Sequence, residues 1–367
     1  MSTSFEVLAA NTDQGEAWDA VIAGMDRCDV YFHRTLCQAF ADYEGCVARM
    51  ARFRRGESVI VYPFFQRRIS SLPFLHSPER WNPYSDIVSP YGYGGPLAQL
   101  AEDDEEERGR IWSEFLDAFH GYCLEHNIVS EFARLHPFLQ NHRQFSLSDG
   151  LDPRGKVVTV DLSQSDEEIW RGFTKENRKK IVRAQANGLR VKEANEPADV
   201  QQFAELYLLN MQRLQARDWY MFPETWLSEL HARFLEHLTL FFVYEGQRLV
   251  AGGSVFHMNG LVGNFLSATA EDCGQFSPNN LLFYEIIRWA KRRGYRWYNM
   301  GGGYRNNDGV MRFKLNFSQH TEDFHTYQKV HLPQAYEALV QEWRQALSAT
   351  IEMEDSKYFP LYRMSRQ

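Results

Sequence analysis

One arrangement occurs twice along this chain, and it limits the folds open to it. Strand-like residues run from Val47 to Phe53 and from Ser58 to Phe65 around the turn Arg54-Arg55-Gly56-Glu57; a helix from Arg108 to Glu125 and a strand from Ile128 to Leu135 follow. The order returns with Thr239 to Tyr244, the turn Glu245-Gly246-Gln247, Leu249 to Phe256, a strand Leu261 to Ala268, a helix Leu281 to Arg293 and a strand Tyr295 to Met300. The first copy holds about twenty extra loop residues between hairpin and helix. Repetition on this scale predicts a duplicated domain. Hairpins alternating with helices make each copy α/β (α+β), a mixed, largely antiparallel sheet flanked by helices.

A length of 367 residues, against roughly 150 per domain, fits two such units. The expected boundaries are 1–152 for an N-terminal domain, 153–332 for a C-terminal one opened by Val157-Val-Thr-Val-Asp-Leu, and 333–367 for a helix (Gln334 to Ala346) with a tail. Earlier still, Phe5 to Leu8 reads as a strand and Gly15 to Met25 as an amphipathic helix.

Forty basic and 48 acidic side chains give a formal charge of −8, so no general attraction to DNA is expected, and any polyanion site must be local. Five cysteines without a CxxC pair argue against a disulfide framework or a zinc cluster and for a reducing compartment. The N-terminus has no secretory pattern, and no apolar run approaches the roughly 18 residues a membrane span needs. A cytoplasmic location is therefore expected, with the oligomeric state open. The histidines form no H-x-x-x-H pair, so no metal is expected; His136 and His257 read as structural. No G-x-S-x-G elbow is present.

Three segments carry chemistry. From Arg171 to Lys192 eight cations stand against one acid, in a short helix stopped by Asn187-Gly188 and the strand it feeds; this is either a clamp for phosphate or carboxylate or a solvated basic face. The loop before the Leu281 helix ends in Ser277-Pro278-Asn279-Asn280, with Ser277 as N-cap and the helix start as an anion site. Gly301-Gly302-Gly303 follows a strand and permits close backbone approach, while Tyr304, Arg312 and Lys314 supply donors for an oxyanion or a phosphate. In the first half, Ser89-Pro-Tyr-Gly-Tyr-Gly-Gly-Pro96 is too rigid and aromatic for a linker.

The basic helix Asn177 to Ala184 with Gly188, the hairpin Val250 to Phe256, the helix after Asn280 and the run from Gly301 to Phe313-Lys314 resemble the FemAB/FemX-like branch of the GNAT acyltransferase superfamily. The likeness is best over Val157 to Gln328, and the first half is consistent with a second GNAT-like unit. Pro90 to Pro96 looks like a segment of bacterial members. The resemblance implies two tandem GNAT-like domains and acyl transfer to an amine. Arg183 matches a basic position of the family's helix, and Lys314 matches the lysine of its F-K element. The usual GNAT pyrophosphate loop is missing; Gln275-Phe-Ser-Pro-Asn-Asn stands there, as Fem-like members also lack it.

The function implied is an N-acyltransferase with acyl-CoA as co-substrate and no tightly bound cofactor. Its acceptor is a small-molecule or lipid-linked amine of a cell-envelope, peptidoglycan or polysaccharide precursor. Aminoacyl-tRNA-dependent peptidyl transfer of the Fem type and a non-catalytic nucleotide-sugar binding module are the alternatives. On this reading Lys314 and Tyr304 stabilise the oxyanion, and Glu285 and Asp308 are candidate bases, with substrate assistance as the alternative. Lys180, Arg183, Asn279 and Asn280 hold phosphates, Gly301, Gly302, Gly303 and Arg312 line the site, and Tyr91, Tyr93, Arg134 and His136 shape an acceptor groove.

Overall fold

The computed structural model describes residues 2–303, 308–346 and 358–364. It divides into two compact units: Met1–Arg154 with Phe324–Gln367, and Gly155–Asp323.

In chain order the first unit holds β1 (Thr3–Ala9), α1 (Gly15–Ala23), α2 (Arg34–Glu44), β2 (Val47–Arg55), β3 (Ser58–Arg68), β4 (Ser85–Val88), β5 (Leu97–Gln99), α3 (Glu105–Glu125) and β6 (Ile128–Arg134). The second begins in β7 (Leu151–Asp161) and continues through α4 (Asp166–Gly172), α5 (Lys175–Ala186), β8 (Leu189–Glu193), α6 (Pro197–Arg213), α7 (Glu224–Arg233), β9 (Leu238–Glu245), β10 (Arg248–Met258), β11 (Leu261–Thr269), α8 (Pro278–Arg292), β12 (Trp297–Gly301) and α9 (Gly309–Leu315). The chain then returns to the first unit through β13 (Thr321–Val330) and α10 (Pro333–Ala346).

The duplication is visible in the pairing. In the first unit, β1-β2-β3-β4 run antiparallel, β4 and β6 are parallel, and β6 meets β13 antiparallel. In the second, β8-β9-β10-β11 run antiparallel, β11 and β12 are parallel, and β12 meets β7 antiparallel. The helix between the two parallel strands is α3 in one unit and α8 in the other, because a parallel pair needs a crossover. The sixth strand is drawn from after the first unit's core sequence and from before the second's.

Each sheet buries an aromatic-rich core. Phe53, Tyr62, Phe64, Phe115 and Phe119 pack together in the first unit, and Phe241, Leu282, Ile286, Trp289 and Tyr298 in the second. The repeated hairpins, α3, α8, α10 and the basic helix fall where the sequence places them. Two expectations change. The extra loop of the first copy contains β4, four residues too short to show a pattern, which is the counterpart of β11. The boundary at 332/333 also moves, because residues from Phe324 onward group with the first unit. There α10 packs Leu339, Val340 and Trp343 against Ile69, Trp81 and Val129, and Arg363 of the tail pairs with buried Asp86 at 2.8 Å.

Candidate active site

The site is built at the end of β12 in the second unit. A register shift between Asn299 and Gly301 bends the strand where it leaves β7. The Asn299 side chain accepts a hydrogen bond from the Gly301 amide at 2.8 Å and fixes the bend. Gly301 has φ +77°, a left-handed conformation that glycine adopts without strain.

Lys314, on α9, reaches back over this bend. Its ammonium donates to the Gly302 carbonyl at 2.6 Å and would lie 3.2 Å from a Cβ at Gly301. A Cβ at Gly302 would come 3.0 Å from the Lys156 carbonyl, so the glycines let three chain segments converge. Burial pulls the Lys314 ammonium down to about 8, and neighbouring Asp308 opposes that shift. Asp308 caps α9, its Oδ1 accepting from the Met311 amide at 2.8 Å, and Gly303 packs directly against its carboxylate. The chain thus offers a half-buried cation beside bare backbone, an arrangement suited to charge that develops on an oxygen.

The start of α8 is without a side-chain cap. It has no acidic residue in its first turn, and Ser277 gives no side-chain cap, because its φ of +54° turns the hydroxyl away from that role. That corrects the expectation of a Ser277 cap. Asn280 is 7% exposed and donates to Asn177 Oδ1 at 2.7 Å; Asn177 in turn donates to the Asn316 carbonyl at 3.0 Å. Asn280 therefore ties the starts of α5 and α8 to the end of α9 rather than facing a ligand. Asn279 differs: its Oδ1 is buried without a hydrogen-bond partner among the described residues.

Other expected residues are dispersed. Glu285 forms an ion pair with Arg288 at 3.0 Å. Phe283 meets Phe313 of α9, and two residues at about 100° each turn Glu285 to a different face. Arg312, Lys180 and Arg183 are exposed. Tyr304 lies outside the described residues.

Tyr91, Tyr93, Arg134 and His136 belong to the first unit, where the last three gather at the end of β6. His136 is 1% exposed; its Nδ1 accepts from the Phe138 and Leu139 amides, so Nε2 carries the proton and donates to Asp29 at 2.8 Å. Tyr93 packs edge-on against His136 and Tyr31, and Tyr91 stacks on Phe40. Arg134 donates to the Pro90 carbonyl at 3.3 Å. In the second unit His257 is likewise structural, held between Thr239 and Tyr295.

Sequence reasoning missed Asn299, Asn177 and Asn316. Each acts through a side-chain to backbone bond whose partner is distant or conformational, so no local pattern announced it.

Residues 171–315 match a family model described as an acetyltransferase (GNAT) domain. Comparison with curated proteins finds no match. Among solved structures, FemX is similar at TM-score 0.66 and 14% identity over 92% of this chain and 99% of that one. L-PGS from Bacillus licheniformis follows at TM-score 0.54 and 13% identity over 89% of this chain and 95% of that one. A conserved protein of unknown function from Bacteroides thetaiotaomicron scores 0.52 at 11% identity, covering 89% of this chain and 99% of that one. Residues 171–315 of the second unit are thus similar to a GNAT acetyltransferase domain, and the chain has a fold similar to that of FemX.

Proposed function

We propose that this chain is an N-acyltransferase that moves an acyl group from acyl-CoA, or a similarly activated polyanionic donor, to an amine of a cell-envelope or polysaccharide precursor. The observation that carries the reading is the Lys314 ammonium, half-buried against the Gly302 carbonyl beside the left-handed Gly301.

An uncharged amine attacks the donor's carbonyl carbon, and the negative charge that forms on oxygen is met by the Lys314 ammonium. Asp308 helps keep that lysine charged. The tetrahedral intermediate collapses with loss of the thiolate, which takes up the amine's proton, leaving the amide and a thiol. The start of α8, with no side-chain cap and no acid in its first turn, supports phosphate binding through the helix dipole, and the buried Asn279 Oδ1 beside it lacks a hydrogen-bond partner among the described residues.

The test is thiol release from acetyl-CoA across amino sugars and peptide amines, run beside transfer from charged tRNA. Amine-dependent thiol release is the expected result. Transfer from tRNA alone, falling steeply with salt, would move the reading to the aminoacyl donor. No transfer from either donor would overturn it.

A further inference from the structure

The face of α5 turned away from α8 is predominantly basic, with exposed Glu176 as its one acid. At 100° per residue, buried Asn177, Ile181 and Ala184 share one stripe, and Lys175, Lys179 and Arg183 form the opposite one at i, i+4 and i+8. All three are exposed and form no ion pair among the described residues; exposed Lys180 flanks them. Arg178 is spent differently, since its guanidinium donates to the Trp170, Arg171 and Phe173 carbonyls at the end of α4.

Helix stability does not account for this stripe. Lys175 stands in the first turn, where the helix dipole disfavours a cation. The stripe also belongs to a chain of net charge −8. Such a molecule is repelled by an anionic surface through its net charge and attracted through a basic face such as this one.

We propose that α5 docks the protein on an anionic membrane surface. Charge complementarity selects lipid headgroups. No ring on this face offers a base a place to stack, because Trp170 and Phe173 pack against Tyr284. Val182, 54% exposed beside the stripe, can sit at headgroup depth. Among the described residues no helix is long and apolar enough to cross a membrane, so attachment is electrostatic, reversible and salt-sensitive. The inference is independent of acyl transfer.

The test is co-sedimentation of the full chain with phosphatidylcholine vesicles, with and without phosphatidylglycerol, at low and high salt. Binding is expected only with phosphatidylglycerol and low salt. The variant K175E/K179E/R183E should lose a factor of about five per side chain, about a hundredfold together. R54E/R108E/R143E, which makes the same change in net charge on the other unit, should keep at least a tenth of the wild-type affinity, with both variants melting as the wild type does. Absence of binding, an equal loss in both variants, or retention of tRNA without vesicle binding would overturn the proposal.

Discussion

The two units share one order of strands and helices and differ at two places, the start of the crossover helix and the end of the strand that follows it. In the first, α3 begins at Asp104, which caps the Glu107 amide, and places Glu105, Glu106 and Glu107 in its first turn. Its amide groups and dipole are already answered by carboxylates, which would repel a phosphate. In the second, α8 has neither cap nor acid there. The strand ends differ in the same sense. Beyond β6, His136 and Asp29 are locked together in the interior; beyond β12, glycines leave room for the Lys314 ammonium. The scaffold stands in both copies, while an uncapped, acid-free crossover helix and a half-buried lysine beside glycine backbone are found, among the described residues, in the second.

The largest expected effect belongs to Lys314. Lys314→Met should lower turnover by about a hundredfold to a thousandfold, the usual cost of losing one oxyanion donor. The same variant should melt higher. The folded lysine has a pKa of about 8 against its ordinary 10.5, so the burial penalty on its charged form is fully present below pH 8 and fades as pH rises toward 10.5. Removing it should therefore add about 1 kcal/mol at neutral pH and less at high pH, measured by melting at both.

Gly301→Ala comes next. A methyl group 3.2 Å from the ammonium, at φ +77°, should displace Lys314 and cost about 1 kcal/mol in backbone strain. Turnover should drop tens of times, read as kcat at saturating donor, by analogy with the cost of small misplacements.

Asn279→Asp transfers the first unit's character to α8. Donor KM should rise about tenfold while melting changes by less than about 1 kcal/mol, since the acid repels phosphate yet suits the helix dipole. An unchanged KM would show that α8 does not contact the donor.

The smallest effect on chemistry belongs to the first unit. His136→Leu strands the Asp29 carboxylate and two amide groups and should cost about 3 kcal/mol of stability in chemical denaturation. The pH profile of the folded enzyme should keep its shape.

Much of this difference was legible beforehand. The hairpins were visible because strand residues with turn chemistry repeat, and the run from Gly301 to Lys314 stands plainly in the sequence. What could not be read is which side chains the fold has already used. Asn280 looks like a phosphate contact until Asn177 takes it, and Glu285 looks like a base until Arg288 pairs with it. Arg178 belongs to the basic helix by sequence and to the end of α4 by contact. β4 was hidden because four residues carry too little periodicity to separate a strand from a loop.

The most direct test of the Lys314 assignment is the pH dependence of kcat/KM in the wild type and in Lys314→Arg. The ammonium stabilises the oxyanion only while charged, so wild-type kcat/KM should fall as pH rises through about 8. The guanidinium of the variant stays charged throughout this range, so its remaining activity should hold to beyond about pH 10. An identical descending limb in both proteins would contradict the assignment of Lys314 to the oxyanion.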